Sequence, residues 1–243
     1  IGYEAGKVIS TGVRNTIIGS QAGDTLTTGS YNVAIGYDAL SAEDANGRNV
    51  AIGYQALTTQ NAGADAYNVA VGFYAGQLLT TGTSNSLIGG NAGGALTDGA
   101  NNIVIGRAAF ETAQSDSNNV AIGYSALGAQ NGAGTAYNVA IGHSAGAAVS
   151  TGTQNTLIGG LAGDALTDGN TNVAIGYEAL GSETRGDRNV AIGRLALSSQ
   201  NNTSDTDAFN VAVGYNAGMS VSTGVENTII GGDAGNALTT GQD

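Results

Sequence analysis

The chain has 243 residues, 41 of them glycine, with no proline, cysteine or tryptophan and a formal net charge of −12. Lack of cysteine excludes disulfides and thiolate metal sites, and seven cations scattered along the chain do not make the basic face that a phosphate backbone needs. The same charge disfavours an anionic membrane surface, and no apolar run approaches the roughly 20 residues of a membrane-spanning helix.

Taken in chain order, one phrase recurs from end to end: Asn-Val-Ala-Ile-Gly, then two residues, then Ala. Its glycines are Gly2, Gly19, Gly36, Gly53, Gly72, Gly89, Gly106, Gly123, Gly142, Gly159, Gly176, Gly193, Gly214 and Gly231, spaced mostly by 17 residues, twice by 19 and once by 21. Such self-similarity is the signature of a solenoid, in which equivalent residues line up as columns along an axis. With that glycine as position zero, −4 is asparagine, −1 is Ile or Val and +3 is alanine. The stretch between is short, apolar and β-branched, which reads as a strand. Seventeen residues are too few for a helix pair, so the predicted fold is all-β: a parallel β-solenoid, or β-roll, of about 14 coils with 17–19 residues in most coils. Coils stacked at about 4.8 Å would make a rod on the order of 65 Å long.

Each column has a structural reading. Asparagine at a corner tolerates left-handed backbone and can bond its own turn; stacked, it can form an amide ladder. The predicted ladder includes Asn32, Asn49, Asn68, Asn119, Asn138, Asn172 and Asn189. Glycine at zero suits a bend or a close backbone approach, and alanine at +3 a narrow coil.

A second period sits above the first. Residues 1–243 form one solenoid region of four-coil sets, at about 2–71, 72–141 and 142–213, with a partial set at 214–243. The first two coils of a set end in Ala-Gly with an apolar residue at +7, as at Leu26, Leu79 and Leu166. The next two mostly end in Ala-Leu, the plug moving to +4 at Leu40, Leu57, Leu127, Leu180 and Leu197, with Phe110 in the same place. The fourth coil is longer, its extra length lying at Gln60 to Tyr67, Gln130 to Tyr137 and Gln200 to Phe209. These loops are expected to protrude on one side. The chain opens in mid-unit at Ile1-Gly2 and closes where another Asn-led strand should begin, so it reads as part of a longer fibre.

In the strands, −3 and −1 share one face and −2 the other. Both faces are apolar, and in Ser86-Leu87-Ile88 and Thr156-Leu157-Ile158 the sizes swap. A strand apolar on both faces is buried on both. We assign the face of Ile122, a −1 residue, to the coil lumen; the other face then requires a partner, most simply two further copies packed about a common axis as a homotrimer.

The phrase Asn172-Val173-Ala174-Ile175-Gly176-Tyr177-Glu178-Ala179-Leu180, alternating with Asn155-Thr156-Leu157-Ile158-Gly159-Gly160-Leu161-Ala162-Gly163, resembles the head repeats of trimeric autotransporter adhesins of the YadA type. It is similar also to the repeat regions of bacteriophage tail-fibre proteins that end in a self-cleaving chaperone domain. The resemblance covers the whole chain. It implies a parallel β-roll, a homotrimer and a place at a virion or cell surface.

Candidate chemistry is sparse. His143, the sole histidine, replaces the tyrosines found at +1 in Tyr37, Tyr54, Tyr124, Tyr177 and Tyr215 and has no partner nucleophile in its column. Glycan cleavage needs two carboxylates flanking one bond. Asp24, Asp164, Asp98, Asp168, Asp205 and Asp207 are available, but no pair recurs and no cleft is implied. No catalytic residue, metal site or cofactor is therefore assigned, although turn carboxylates and carbonyls would suit structural calcium. Threonines at Thr11, Thr28, Thr81, Thr151, Thr223 and Thr240 raise ice binding, yet their columns are broken, with Asp44, Asn61 and Asn131 near the same level. The candidates for surface recognition are Tyr67, Tyr137 and Phe209, which close the long loops, with Asn61, Asn131 and Asn201 at their starts. Tyr and Asn in exposed loops suit polar partners such as glycans; the competing reading has the rings packed on the flank, fastening the loop.

The expected function is that of a non-enzymatic, extracellular or virion-surface fibre segment, from a phage tail fibre or bacterial adhesin. It would extend the fibre and present loops to a cell-surface glycan or protein receptor, with neither nucleic acid nor membrane insertion. A self-assembling extracellular filament and an ice-binding solenoid are the alternatives.

Overall fold

The structure, a computed structural model, describes residues 1–132 and 134–241; Ala133, in the second long loop, and Gln242 and Asp243, which end the partial set, lie outside it. The chain divides into two compact units, Ile1–Asn119 and Val120–Asp243. The described residues contain no helix and wind as a parallel β-solenoid of about 13 turns. Among the described residues no helix is long and apolar enough to cross a membrane.

In the first unit β1 (Thr16–Ile18), β2 (Val33–Ile35), β3 (Val50–Ile52), β4 (Val69–Val71), β5 (Ser86–Ile88) and β6 (Ile103–Ile105) pair in sequence order, all parallel. In the second, β7 (Val120–Ile122), β8 (Val139–Ile141), β9 (Thr156–Ile158), β10 (Val173–Ile175), β12 (Val190–Ile192), β14 (Val211–Val213) and β15 (Thr228–Ile230) do the same. A small second sheet pairs β11 (Gly186–Asp187) with β13 (Thr206–Asp207). Register follows the repeat: Val33, Ala34 and Ile35 lie beside Val50, Ala51 and Ile52.

The lumen is filled from the opposite strand face to the one expected. Position −2 is fully buried at Ala34, Ala51, Ala70, Leu87, Val104, Ala121, Leu157 and Ala174, whereas the −3 and −1 residues Val33, Ile35, Val120 and Ile122 are only half-buried. Ile122 thus faces outward, and Ala121 faces the lumen. The reason is size. The alanines at +3 and one Leu, Val or Phe plug per coil already occupy most of the lumen, leaving a small residue at −2. Where −2 is large, glycine makes the room: a Cβ on Gly163 would lie 2.8 Å from Leu157 Cδ2, and one on Gly146 2.6 Å from Leu157 Cδ1.

The two coil types share one backbone. Position +4 is left-handed whether it is Gly23 (φ 51°) or Leu40 (φ 54°). Glycine adopts that region without penalty. Leucine there incurs strain but delivers its own plug, so Leu26 at +7 and Leu40 at +4 both end fully buried. At zero the constraint is closer still: a Cβ on Gly36 would lie 2.2 Å from the carbonyl oxygen of Gly53.

The buried asparagines form the ladder. Asn32 Oδ1 accepts the Asn49 backbone N–H at 3.0 Å, and Asn49 Oδ1 that of Asn68 at 3.1 Å. In the second unit Asn138, Asn155, Asn172 and Asn189 form the same chain at 2.9 Å per step. Most of these amides also donate Nδ2 to the carbonyl 14 residues on, as Asn138 does to Gly152 at 2.7 Å and Asn172 to Gly186 at 2.9 Å. Asn119 donates its N–H to Asn102 Oδ1 at 3.0 Å. A second ladder runs through the hydroxyls at +8: Ser10 donates to the Thr27 carbonyl, Thr80 to Thr97 and Thr167 to Thr184, at 2.9–3.2 Å.

Candidate functional site

The long loops grow from a polar root. Gln60, Gln130 and Gln200 sit at +7, where Ala-Gly coils carry an apolar plug, and all three are fully buried. Their Oε1 atoms accept from Nδ2 of Asn68, Asn138 and Asn210 at 2.9, 2.9 and 3.0 Å. In the third set the buried carboxylate of Glu183 joins this root. Its Oε1 accepts the Gly186 and Asn202 backbone N–H groups, and its Oε2 accepts from Gln200 Nε2 at 3.0 Å. Glu43 is its counterpart in the first set, buried with fewer donors: the Asn46 N–H at 3.0 Å and Asn49 Nδ2 at 3.5 Å. Burial pushes the Glu43 carboxyl above the usual carboxylate range.

The loop residues named from sequence divide into two groups. Asn61, Asn131 and Asn201 start the loops in register, their backbone N–H groups donating to the carbonyls of Thr80, Ser150 and Ser222 at 2.8 Å. Asn61 and Asn201 also bond sideways, to Asn46 and Thr184. The rings are the open part: Tyr67, Tyr137 and Phe209 are 54%, 59% and 49% exposed. Two of them combine exposure with fastening. Arg48 lies 5.3 Å over the Tyr67 ring, donates to its hydroxyl at 2.7 Å and pairs with Asp65. Arg188 lies 5.5 Å over Phe209 and pairs with Asp207, and Arg185 bridges Asp168 and Asp205.

The outward strand face adds a surface that sequence reasoning had placed inside. Its Val and Ile stripe at −3 and −1 is bordered by exposed columns at −5 and +1. In the first unit the +1 rings of Tyr37, Tyr54 and Phe73 stack at 5.2 Å with 15° between planes, while Arg14 and Arg48 flank the Tyr31 ring at 5.2 and 5.6 Å. In the second, Tyr124 stacks on His143 at 5.2 Å, and Arg194 lies between Tyr177 and Tyr215. Five of the seven cations, Arg14, Arg48, Arg107, Arg188 and Arg194, belong to these two columns. They are gathered by the repeat rather than scattered, although Arg48 and Arg188 are already paired with carboxylates.

Carboxylates also meet in pairs, contrary to the sequence reading. In the second unit Asp164 at +5 and Glu178 at +2 of the next coil face a cleft of about 380 Å³ lined by Ser182, Ser198 and Ser199. Burial raises the Asp164 carboxyl above its ordinary range, and the Glu178 charge adds to it. Asp24 and Asp38 occupy the same two positions in the first set. Asp24 is shifted up in the same way, and its Oδ1 is buried without a hydrogen bond. The signal was available: both pairs are 14 residues apart, the separation that links most ladder amides to a carbonyl. Among the described residues no three His, Cys, Asp or Glu side chains group as a metal site. The exposed threonines at +9 are interrupted by Ala45, Ala62 and Asp98.

Comparison with protein-family models, with curated proteins and with solved structures finds no match for the chain.

Proposed function

We propose that the chain is a structural and adhesive fibre segment, of a phage tail fibre or a bacterial surface adhesin, working at an extracellular or virion surface as a homotrimer. The observation that carries this reading is the outward Val and Ile stripe. Ile88, Ile103 and Ile105 on neighbouring coils of the first unit, and Ile141 and Ile230 of the second, are all more than a third exposed, on strands whose −1 residue is Ile or Val in every coil. Contiguous apolar surface of this kind is characteristic of interaction sites. Packing against the stripes of two further copies would remove it from water, at about 25 cal/mol per Å². The loops and turn flanks would remain for attachment, and the laddered asparagines and hydroxyls would supply rigidity along the stack.

Mass in solution tests the assembly: three times the 23.8 kDa chain is expected, and a monomer at micromolar concentration rejects the trimer. Attachment is tested by binding of the purified protein to cells or glycan surfaces, with Tyr67, Tyr137 and Phe209 replaced together by serine. Filament growth and ice binding predict other results, namely end-to-end extension under the electron microscope and thermal hysteresis. Against ice binding, the exposed threonine column at +9 is broken by Ala45, Ala62 and Asp98.

A further inference from the structure

The second set alters the flank cleft. Where the first and third sets have Asp24 and Asp164 it has Gly94, and where they have Asp38 and Glu178 it has Ala108. Both carboxylates are gone, and the first unit has instead a pocket of about 310 Å³ beside Gly94. Tyr74 and Leu78 supply apolar walls, and Gln77, Asn91 and Glu111 supply polar ones.

The pocket is preset. The Tyr74 ring is held by Phe73, at 4.0 Å between centroids, and meets Tyr54 edge-on at 5.5 Å. Leu78 is 47% exposed, an apolar side chain with no cover of its own. Gln77 donates Nε2 to Gln55 Oε1 at 3.0 Å, which leaves its own oxygen as an acceptor. The side chains of Asn91 and Glu111 make no hydrogen bond or ion pair among the described residues, although both line the pocket. Acceptors therefore outnumber donors, and no Lys or Arg lines the site. A ligand that fits must bring hydrogen-bond donors, a flat apolar face and no negative charge.

We propose that this pocket binds a neutral pyranose, a glucose-, galactose-, mannose- or N-acetylglucosamine-type residue of a glycan. Its C–H face lies on the Tyr74 ring and Leu78, and its hydroxyls donate to Glu111, Asn91 and the Gln77 oxygen. Size agrees: small-molecule pockets begin at roughly 300 Å³. Glu111 rejects the sialylated or uronic counterparts, because the site offers no cation to offset a second carboxylate. The proposal names the ligand class for the attachment reading and rests on it for biological use.

The test is saturation-transfer NMR and titration calorimetry on the whole chain, with neutral oligosaccharides of those four sugars and their sialyl and glucuronyl counterparts. Transfer to ring C–H protons of at least one neutral sugar is expected, with its acidic counterpart bound at least tenfold more weakly. Two variants are built from residues the fold already carries at equivalent positions: Gly94→Asp, as at Asp24 and Asp164, and Asn91→Leu, as at Leu161. A Cβ at Gly94 makes only ordinary contact, 3.4 Å from the Asn91 carbonyl oxygen. Each variant should weaken binding at least tenfold, with melting unchanged in Gly94→Asp and only slightly lowered in Asn91→Leu, whose backbone is left-handed (φ 56°). No transfer to any neutral sugar, or undiminished transfer in both variants, overturns the proposal. Absence of sugar binding by the unsubstituted chain while it still attaches to cells rejects the pocket alone; sugar binding without attachment to any cell or glycan surface rejects the adhesive function alone.

Discussion

Asn155 donates its backbone N–H to the side-chain oxygen of Asn138 at 2.9 Å, so a side chain takes the place of a backbone carbonyl at this corner. Asn155 repeats the pattern, accepting from the Asn172 N–H at 2.9 Å and donating Nδ2 to the Gly169 carbonyl at 2.8 Å. An amide both accepts and donates in this way, which an ionised carboxylate cannot. Asn155→Asp would set a carboxylate oxygen against the Gly169 carbonyl. A loss of about 2–4 kcal/mol is expected at neutral pH, from one unmade bond and one buried charge. The introduced carboxyl has its folded pKa raised, because its protonated form can donate. Stability is then full below the unfolded pKa and is lost as pH rises through the folded value. Denaturant unfolding at about pH 4 and pH 7 should show recovery in acid; equal loss at both rejects the assignment.

Ala121 and Ile122 are adjacent in sequence and opposite in place. Ala121 is fully buried in the lumen and Ile122 is half-buried on the outward stripe. Ala121→Asp should unfold the second unit, since an unpaired charge has no solvent there. Ile122→Asp should leave the melting of the isolated chain within about 1 kcal/mol while lowering the solution mass from trimer to monomer. Equal destabilisation by the two would reverse the faces.

Glu43 is raised mainly by burial, against which the Asn46 N–H acts, with Asp44 adding like charge. The folded state therefore binds its proton more tightly than the unfolded chain. Its contribution is greatest below the unfolded pKa of about 4.3 and declines as pH rises through the raised folded value. Glu43→Gln should remove that decline and raise the melting temperature at pH 7 more than at pH 4. A lower melting temperature at pH 7 would mean that its hydrogen bonds outweigh the buried charge.

Gly36→Ala tests the closest approach between coils. The added Cβ would meet the Gly53 carbonyl at 2.2 Å, on a backbone at φ 136°. Backbone on both sides cannot yield as a side chain can, so a loss of about 3–5 kcal/mol is expected from urea unfolding. A loss under about 1 kcal/mol would show that the coils separate cheaply.

The columns were legible because repetition averages out local ambiguity: Asn at −4, Gly at zero and Ala at +3 admit one structural role each. The strand faces were not. Val33, Ala34 and Ile35 are all apolar, and periodicity cannot say which face points inward; the volume left beside the Leu26 and Leu40 plugs decides it. The Asp164–Glu178 pair escaped notice because reading down a column compares residues 17 apart, while winding brings together residues 14 apart. The Tyr74 pocket depends on absences, Gly94 and Ala108, which composition does not flag.

The shared left-handed backbone at +4 lets Gly-type and Leu-type coils stack on one another, with glycine kept where the lumen holds a large −2 residue such as Leu157. Because Gly23 and Leu40 hold the same conformation, while Gly76 and Gly146 make room for leucines of adjoining coils, a gene duplication in frame with a whole four-coil set would add levels that bring their own neighbours with them. The length of such a protein is thus a quantity that recombination can adjust in steps, while the surface chemistry of each level is free to drift on its own.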